Sequence, residues 1–452
     1  NTSNSDRHLP SGISIMEKKA PLLSAPKNSA ELVGANVDTT ASQPQAVALH
    51  DGRSSKCTSF FRRRLFGQFS NIQHGHLTLR EMETIRVFGD QNAPGTEIII
   101  HNPRCYRRLA LGGAIGAAEA FIDGDWSTPD LIGVIRLFAK NEDYLRQINH
   151  GFARIKQWYY WIVSRLHPNS KKGSRKNIAA HYDLGNEFFS LFLDSSMTYS
   201  CGIFDRPESS LWEASMQKYR VIADALHLSS DDHVIEIGAG WGGFAFFAAE
   251  NYGCRVTTTT ISAKQFAYVN NKVRQKNLSD KINVVCKDYR DLDGTFDKLV
   301  SIEMIEAVGH RFLRTFFEKC ASLLKPQGTA LIQAITVPDS DYSRYRRSTD
   351  FIQQFIFPGG CLPSLGAIRQ ATNSGELRLV NITNFSQDYF RTLIEWRTRF
   401  HENLTAIRNL NVGESFLRLW DYYLCYCAGG FAEGKIQVGH IAFKKSSGST
   451  SL

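Results

Sequence analysis

The segment Val234-Ile235-Glu236-Ile237-Gly238-Ala239-Gly240-Trp241-Gly242-Gly243 is the most informative part of the sequence. An apolar run ends in closely spaced glycines, and apolar residues at helical spacing follow it. This order is typical of a buried strand, a tight turn and the first turn of a helix. Glycines allow a backbone to come close to a ligand, and the first helical N–H groups are free to bind it. The stretch therefore predicts a nucleotide-type site without saying which nucleotide it holds.

Further strands are predicted on the C-terminal side of the glycine stretch, at 255–261, 282–285, 296–302 and 329–335. The first ends about 20 residues after Gly238, where a dinucleotide site has an acidic residue for the ribose. This strand has only threonines there. The pattern resembles the class I S-adenosylmethionine-dependent methyltransferase fold, a Rossmann-like α/β core. The resemblance implies that the glycine turn holds the amino acid part of the cofactor and that residues 288–290 lie near its adenine. The alternative interpretation of the strand pattern is an unrelated parallel α/β core.

The bulk composition is that of a globular chain with room for two domains. The 452 residues are 42% hydrophobic and 21% charged, with a net charge of +9. A basic chain binds nucleic acid, an anionic membrane surface or anionic substrates. We find no nucleic-acid signature, so a membrane surface or an anionic substrate is expected, and no nucleic acid. The sequence has no run of 18 apolar residues, so no membrane-spanning helix is expected.

The nine cysteines are scattered along the chain. Cys425 and Cys427 form the only close pair, and no second pair accompanies them for zinc. No metal site is therefore expected. Reduced thiols are typical of a cytosol-like compartment, which predicts a cytoplasmic protein.

Composition and periodicity divide the chain into five parts. We expect a disordered tail (1–56), a small N-terminal α/β domain (57–165), a linker (166–176), the catalytic domain (177–446) and a short tail (447–452). In the small domain, strands are predicted at 76–79, 84–88 and 97–100, and helices at 106–120 and 131–138.

Two basic segments have open interpretations. The segment 57–66 mixes aromatic residues with three arginines, which suits either contact with anionic lipid or a solvated helix start over a core edge. The predicted linker carries Lys171, Lys172, Arg175 and Lys176, which either hold a phosphate head group or are merely solvated.

Six motifs in order resemble the cyclopropane-fatty-acyl-phospholipid synthase family, which includes the mycolic acid cyclopropane synthases. They are residues 199–201, 236–243, 260–265, 304–310, 357–364 and 422–429, and the likeness runs from about 70 to 445. It implies methylene transfer from S-adenosyl-L-methionine to the cis double bond of an acyl chain in a membrane phospholipid, forming a cyclopropane. The alternatives are methyl or methylene transfer to another lipid, with a branched product, and an inactive lipid-binding homologue.

The resemblance also implies the catalytic residues. Cys201, Glu306 and Tyr389 match the family's positions around a bound bicarbonate ion, the expected base. Gln333 stands where bacterial members have His, and Gln can donate a hydrogen bond but cannot titrate. This departure either alters proton handling or shifts the product. Cys427 matches a Cys once proposed as nucleophile, and we interpret it as a pocket residue because the electrophile is the cofactor.

The resemblance assigns the cofactor contacts and the acyl slot to separate groups of residues. The cofactor-binding residues it implies are Tyr199, Ser200, Glu236, Gly238, Gly240, Gly242, Thr260, Gln265, Tyr289 and Arg290. The acyl slot is expected within 336–420, at Tyr342, Tyr345, Phe351, Phe355, Ile356, Phe357 and Trp396. The partners it implies are an unsaturated phospholipid, an anionic membrane surface on which the enzyme is peripheral, and a homodimer as one candidate oligomeric state.

Overall fold

The structure is a computed structural model that describes residues 14–17, 52–146, 185–373 and 375–446. Two β-sheets organise these residues, an eight-stranded sheet and a four-stranded sheet. The predicted linker at 166–176, its basic side chains and the C-terminal tail lie outside the described residues.

The strands are numbered in chain order. They are β1 (Ser14–Glu17), β2 (His76–Glu81), β3 (Thr84–Gly89), β4 (Gly95–Ile100), β5 (Trp126–Ser127), β6 (His233–Ile237), β7 (Arg255–Thr259), β8 (Ile282–Val285), β9 (Phe296–Ile302), β10 (Leu324–Thr336), β11 (Leu377–Asn384) and β12 (Gln437–Lys445).

The helices are numbered in the same way. In the N-terminal part they are α1 (Gly52–Phe69), α2 (Arg104–Ile122), α3 (Leu131–Lys140) and α4 (Glu142–Arg146). In the C-terminal part they are α5 (Gly185–Ser190), α6 (Leu211–Leu226), α7 (Gly243–Tyr252), α8 (Ala263–Gln275), α9 (Leu313–Leu323), α10 (Asp339–Tyr345), α11 (Phe351–Phe355), α12 (Leu365–Thr372), α13 (Ser386–Glu402), α14 (Leu404–Arg408) and α15 (Glu414–Ala432).

The large sheet has the order β8-β7-β6-β9-β10-β12-β11-β1. From β8 to β10 all neighbours are parallel, while β12 runs antiparallel to both β10 and β11. Helices cover both faces, and the central strands are buried because their residues are apolar on both sides. Loops that follow the carboxyl ends of parallel strands meet at one edge of such a sheet, and ligands bind there. The class I methyltransferase fold predicted from the sequence is confirmed.

The small domain is built on the second sheet, in the order β3-β2-β4-β5. Helices α1, α2 and α3 pack on it, and α15 of the catalytic domain packs against α2 and α3. Charged groups bind the two parts together. Arg418 donates from Nε to Phe121 O at 2.6 Å, and Arg136 pairs with Glu433 at 2.6 Å. One hydrophobic cluster therefore extends from the small domain into the C-terminal part, while two further clusters pack around the large sheet.

The predicted elements agree with the observed ones to within a few residues, but three features differ. Strands β11 and β12 were not predicted; β12 pairs with both β10 and β11, which lie far from it in sequence. Within the predicted disordered tail, 14–17 forms a short strand that pairs with β11. Helix α1 begins at Gly52, five residues before the start predicted for the small domain.

Within the described segments, no helix is both long and apolar enough to cross a membrane. Across the same part of the chain, no group of His, Cys, Asp and Glu side chains is arranged to hold a metal ion. His310 pairs with the Tyr342 hydroxyl at 2.7 Å.

Candidate active site

The glycine bend follows β6, as predicted. Gly238, Gly240 and Gly242 have φ angles of 102°, 51° and 86°, in the left-handed region where a side chain is strained. A Cβ on Gly238 would lie 3.2 Å from the Met304 side chain. The bend is fixed to the neighbouring strand because the amides of Gly238 and Ala239 donate to Thr259 O at 3.0 and 2.8 Å. The backbone itself therefore forms the floor of a ligand site.

Buried polar atoms without partners lie beside this bend. The Gln265 side chain accepts from Thr260 Oγ1 at 2.8 Å, while its Nε2 is buried without a hydrogen-bond partner. The hydroxyl of Tyr289 is also buried and unpartnered. Because buried polar groups are nearly always hydrogen-bonded, these two atoms indicate a missing polar ligand. The adenosyl and amino acid groups of S-adenosylmethionine fit this donor set.

Glu236 is the penultimate residue of β6, next to the bend. Its Oε2 accepts from Thr258 Oγ1 at 2.5 Å, and burial raises the pKa of Glu236 to about 8. Arg290, by contrast, pairs with Asp288 at 2.7 Å and does not line the cavity. Gly242 also lies behind the cavity wall, where it caps the N-terminus of α7. The cofactor role implied for Arg290 stays a prediction.

A carboxylate that the sequence analysis did not select occupies the centre of the site. Glu303 follows β9 directly and accepts three hydrogen bonds. Its Oε1 accepts from Cys201 N at 2.9 Å and from Gln333 Nε2 at 2.7 Å, and its Oε2 accepts from Tyr389 OH at 2.6 Å. Three residues predicted for catalysis, Cys201, Gln333 and Tyr389, therefore converge on Glu303.

The orientation of Gln333 is set by the neighbouring strand. Gln333 and His440 are register partners on β10 and β12, and His440 Nε2 lies 3.0 Å from Gln333 Oε1. Burial lowers the pKa of His440 to about 3, so its ring is neutral. With Gln333 donating to Glu303, its amide oxygen accepts the Nε2–H of His440. This contact holds the Gln333 amide group toward the carboxylate.

Glu306 lies one turn beyond Glu303 and differs from it in its hydrogen bonds. Its Oε1 accepts from Ile335 N at 2.5 Å, while Oε2 is buried without a partner. Burial and the nearby Glu303 charge raise the pKa of Glu306 to about 8. Burial also raises the pKa of Glu303, while its three donors oppose that shift. Of the two carboxyls, Glu303 is better solvated by donors and Glu306 is held protonated at neutral pH.

A buried lysine, also absent from the sequence-based set, provides positive charge. Lys218 on α6 is completely buried, and its Nζ donates to Ser200 Oγ at 2.6 Å. The ammonium also lies 4.8 Å from the centroid of the Tyr219 ring. Burial lowers the pKa of Lys218 to about 8, while Glu303 and Glu236 oppose that shift. Lys218 thus compensates charge beneath the site and positions Ser200.

Neither cysteine of the predicted catalytic set is activated as a nucleophile. Cys201 is buried and its Sγ donates to Gly202 O at 3.1 Å, so its main-chain N–H is the group that serves the site. Burial raises the pKa of Cys427, which lines the cavity, and raises that of Cys201 well above the ordinary thiol value. Raised thiol pKa values oppose thiolate formation. These properties suit the interpretation of Cys427 as a pocket residue.

Aromatic rings form one wall of the site. Tyr199 shares a hydrogen bond with Tyr423 at 2.8 Å between hydroxyls, and its ring centroid lies 5.2 Å from that of Trp396. Tyr389 stacks on Phe431 at 4.4 Å. A cation held within about 6 Å of the face of such a ring is stabilised by it.

One cavity of about 960 Å³ joins the bend to the small domain. Near the bend it is lined by Tyr199, Ser200, Glu236, Gly238, Gly240, Thr260, Gln265, Tyr289, Glu303, Glu306 and Tyr389. At its other end it is lined mainly by apolar small-domain residues, among them Leu65, Phe69, Leu79, Ile98, Ala114 and Phe138. Among the predicted acyl-slot residues, Tyr345, Phe351 and Phe357 line it, whereas Tyr342, Phe355, Ile356 and Trp396 pack outside its lining.

The bicarbonate ion expected from the resemblance does not fit these contacts. The donors expected to hold it, Cys201 N, Tyr389 OH and the side chain at position 333, all donate to Glu303 instead. A second anion there would lie against the Glu303 carboxylate, and like charges repel strongly in a buried site.

Sequence reasoning could have found Glu303. It is a carboxylate that immediately follows a predicted strand and lies three residues before Glu306, and paired carboxylates are a sign of acid–base chemistry. Lys218 and His440 gave no such signal, since a lysine in an amphipathic helix and a histidine in a strand are ordinary.

Comparison with known proteins shows the family to which the chain belongs. The family model of mycolic acid cyclopropane synthetase matches residues 169–441. The chain belongs to this family. The tuberculostearic acid methyltransferase UfaA1 of Mycobacterium tuberculosis is 35% identical over 382 residues, covering 80% of this chain and 87% of the relative. The cyclopropane-fatty-acyl-phospholipid synthase of Escherichia coli is 34% identical, covering 77% and 88%.

Solved structures of the family show the same catalytic fold. The mycolic acid cyclopropane synthase CmaA1, complexed with SAH and CTAB, is 29% identical with a TM-score of 0.57. The match covers 60% of this chain and 98% of CmaA1. The protein is therefore an S-adenosylmethionine-dependent methyltransferase of the lipid-modifying cyclopropane synthase family, and its small domain lies outside the family model.

Proposed function

We propose that this enzyme transfers the methyl group of S-adenosylmethionine to the cis double bond of an unsaturated acyl chain in a membrane phospholipid, and then removes a proton to close a cyclopropane ring. The observation that carries the proposal is the single cavity with a polar cofactor end and a long apolar end. A cofactor and a hydrocarbon chain are the two ligands that such a cavity suits.

The reaction makes specific demands on the chain's residues. When bound at the glycine bend, S-adenosylmethionine supplies an electrophilic methyl group. The alkene π pair forms the new carbon–carbon bond, the carbon–sulfur pair stays on sulfur, and the other alkene carbon becomes cationic. Tyr199 and Tyr389 lie where ring faces stabilise that cation, and the apolar lining excludes water that would trap it.

Loss of a proton then decides the product. If the new methyl group loses a proton and its C–H pair bonds to the cationic carbon, a cyclopropane forms. A branched product is the second candidate: a hydride first moves from the methyl-bearing carbon to the cation, and proton loss from the methyl group leaves a methylene branch. The likeness to a relative named as a tuberculostearic acid methyltransferase supports this alternative.

The apolar end of the cavity supports a long substrate. This end is lined by Leu79 of β2, Ile98 of β4 and Phe69 of α1, all in the small domain. Each of the three is buried in the hydrophobic core of that domain. We propose that the end of the acyl chain farthest from the head group enters this part of the cavity. The small domain then contributes directly to the acyl slot, in addition to the 336–420 region predicted from sequence.

An outer surface of the small domain supports a peripheral location on an anionic membrane. The exposed apolar residues Phe60, Met82 and Ile85 lie on α1 and on the β2–β3 hairpin, with exposed fractions of 57%, 91% and 54%. Arg62 of α1 pairs with Glu81 of β2, so the helix and hairpin form one surface, which also carries Arg63, Arg64 and Arg86. Exposed apolar groups among cations suit an anionic lipid surface.

The experiment is incubation of the enzyme with S-adenosylmethionine and vesicles of dioleoyl phosphatidylglycerol. Acyl chains that gain the mass of one CH₂ group support carbon alkylation, and proton NMR distinguishes cyclopropane signals from those of an exocyclic methylene. Vesicles with saturated chains are the matched control. Parallel incubations with free oleate and with an oleoyl thioester test whether the acyl chain must be part of a phospholipid. No mass gain in any unsaturated lipid would refute the proposed function.

A further inference from the structure

Glu303 has the hydrogen-bonding environment of a bound anion, although it belongs to the chain. A main-chain N–H, a side-chain amide and a phenol all donate to its two oxygens, at 2.9, 2.7 and 2.6 Å. We infer that Glu303 is the proton acceptor of the reaction and replaces a dissolved anion such as bicarbonate. The inference rests on the proposed function, because that reaction is what releases a proton.

The three hydrogen bonds leave Glu303 able to accept a proton. Oε1 accepts two of the three donors and Oε2 accepts only one, so Oε2 keeps acceptor capacity for a further proton. The residue lines the cavity beside Glu306 and Tyr389. A carboxylate stabilised by three donors is a weak base, but a methyl group beside a carbocation is so acidic that a weak base suffices.

The backbone of Glu303 adopts a strained conformation. Glu303 has a φ of 47°, in the left-handed region that glycine favours and that bulky residues rarely adopt. Its N–H donates to Gln333 O at 2.9 Å, which fixes this conformation at the end of β9. Backbone strain of this kind is concentrated at functional sites. The conformation directs the side chain to the donors rather than to solvent.

The proton balance is complete without another base. As the methyl C–H bond breaks, its electron pair forms the ring bond or the methylene double bond, and the proton moves to Glu303 Oε2. The carboxyl group is then neutral, and it returns the proton to solvent when the product leaves. No oxidant or further reactant is consumed.

Bicarbonate binding tests the inference independently of turnover. Wild-type enzyme should cause no saturable broadening of the ¹³C NMR signal of labelled bicarbonate. Glu303→Gly frees the three donors and suits the backbone at this position, so this variant should broaden the signal saturably. Saturable binding by wild-type enzyme as strong as that of the glycine variant would overturn the inference.

Turnover gives the second test. In carbonate-free buffer, wild-type enzyme should keep its activity within about 2-fold, whereas Glu303→Gln should lose at least about 100-fold, the usual range for loss of a general base. Binding of S-adenosylmethionine should be unchanged in both. Added bicarbonate or formate should restore part of the activity of Glu303→Gly but not of Glu303→Gln, whose side chain still fills the site.

The two failures are distinguishable. A wild-type enzyme that alkylates lipid only when bicarbonate is present, or a fully active Glu303→Gln variant, refutes the role of Glu303 and leaves the proposed function standing. An enzyme that alkylates no lipid refutes the proposed function, and the NMR comparison still shows whether Glu303 excludes the anion.

Discussion

The two ends of the cavity are built in opposite ways. At the cofactor end, polar groups are fixed by short contacts, as Tyr389 and Gln333 are fixed on Glu303. At the small-domain end, the wall consists mainly of aliphatic and aromatic side chains, which carry no directional hydrogen bonds. Directional contacts select a reaction, whereas an apolar wall selects only size and shape.

If the small-domain end receives the acyl chain as proposed, the chemistry of the enzyme and the chain length that it accepts are set by different parts of the molecule. The family model covers 169–441, which contains the cofactor end, and leaves the small-domain end outside it. We therefore expect changes at the cofactor end to affect whether the reaction occurs. Changes at the small-domain end should affect which chains react.

The largest effect is expected at the glycine bend. Gly238→Val introduces a branched side chain at a φ of 102°, with its Cβ against Met304. Binding of S-adenosylmethionine should fall below detection in calorimetry, and turnover should fall by about 1,000-fold or more. The matched control is Gly434→Val, which has a similar φ of 65° on a surface turn where a Cβ meets nothing within 4 Å. Normal cofactor binding by Gly238→Val would show that the bend is not the cofactor site.

The second effect is on the pH dependence of stability. The pKa of Glu306 is raised from 4.5 to about 8 in the folded protein, so its contribution to stability is complete below pH 4.5 and is lost as pH rises to 8. In this window the free energy of unfolding of Glu306→Gln should depend less steeply on pH than that of the wild type, by up to about 1.4 kcal/mol per pH unit. Urea titrations at several pH values measure it.

The control for that measurement is Glu208→Gln, because Glu208 is exposed. Glu236 has a similarly raised pKa and adds a slope of the same sign in both variants. Lys218 has a lowered pKa of about 8, and its contribution has the opposite sign, being lost as pH falls through 8. An unchanged slope in Glu306→Gln would contradict a protonated Glu306 at neutral pH.

The third effect is on chain-length selection. Ile98→Trp places a large ring in the apolar end of the cavity and should lower turnover of long acyl chains relative to short ones by about 10-fold, since even one methylene in an apolar pocket is worth about 1–3 kcal/mol. Competition between vesicle lipids of different chain length measures it. Val380→Trp, at a residue 49% exposed on β11 and outside the proposed membrane surface, is the control. A uniform loss across all lengths would show that the chain does not reach this region.

The smallest effect is expected on the outer surface of the small domain. Met82→Asp should weaken binding to anionic vesicles by a few-fold, because one exposed apolar contact is lost and one repulsive charge is gained. Vesicle sedimentation at two salt concentrations measures it. Trp212→Asp, at a residue 48% exposed on the catalytic domain, is the matched control. Equal loss in both variants would place the membrane contact elsewhere.

The sequence predicted local features well. Strand β6 and the bend after it have strong apolar and glycine patterns, and β8 and β9 are rich in apolar residues. These patterns reflect burial within a few neighbouring residues, so a single segment is enough to reveal them.

Contacts between distant segments were not predictable in the same way. Glu303 depends on donors more than eighty residues away in sequence at Cys201 and Tyr389, and Gln333 depends on His440 across two strands. The resemblance placed Cys201, Gln333 and Tyr389 in one site, but it supplied an ion where the chain has its own carboxylate. The small-domain end of the cavity arises from packing between helices and sheet, which composition does not record.

The left-handed backbone at Glu303 has a consequence for how such an enzyme changes over generations. Glycine is the residue that this conformation favours, and every glutamate codon becomes a glycine codon by one base change. A single point mutation thus exchanges a covalently supplied base for a space that fits a small dissolved anion, without rebuilding the loop. A single nucleotide change would therefore make the activity of the enzyme depend on bicarbonate formed from ambient carbon dioxide.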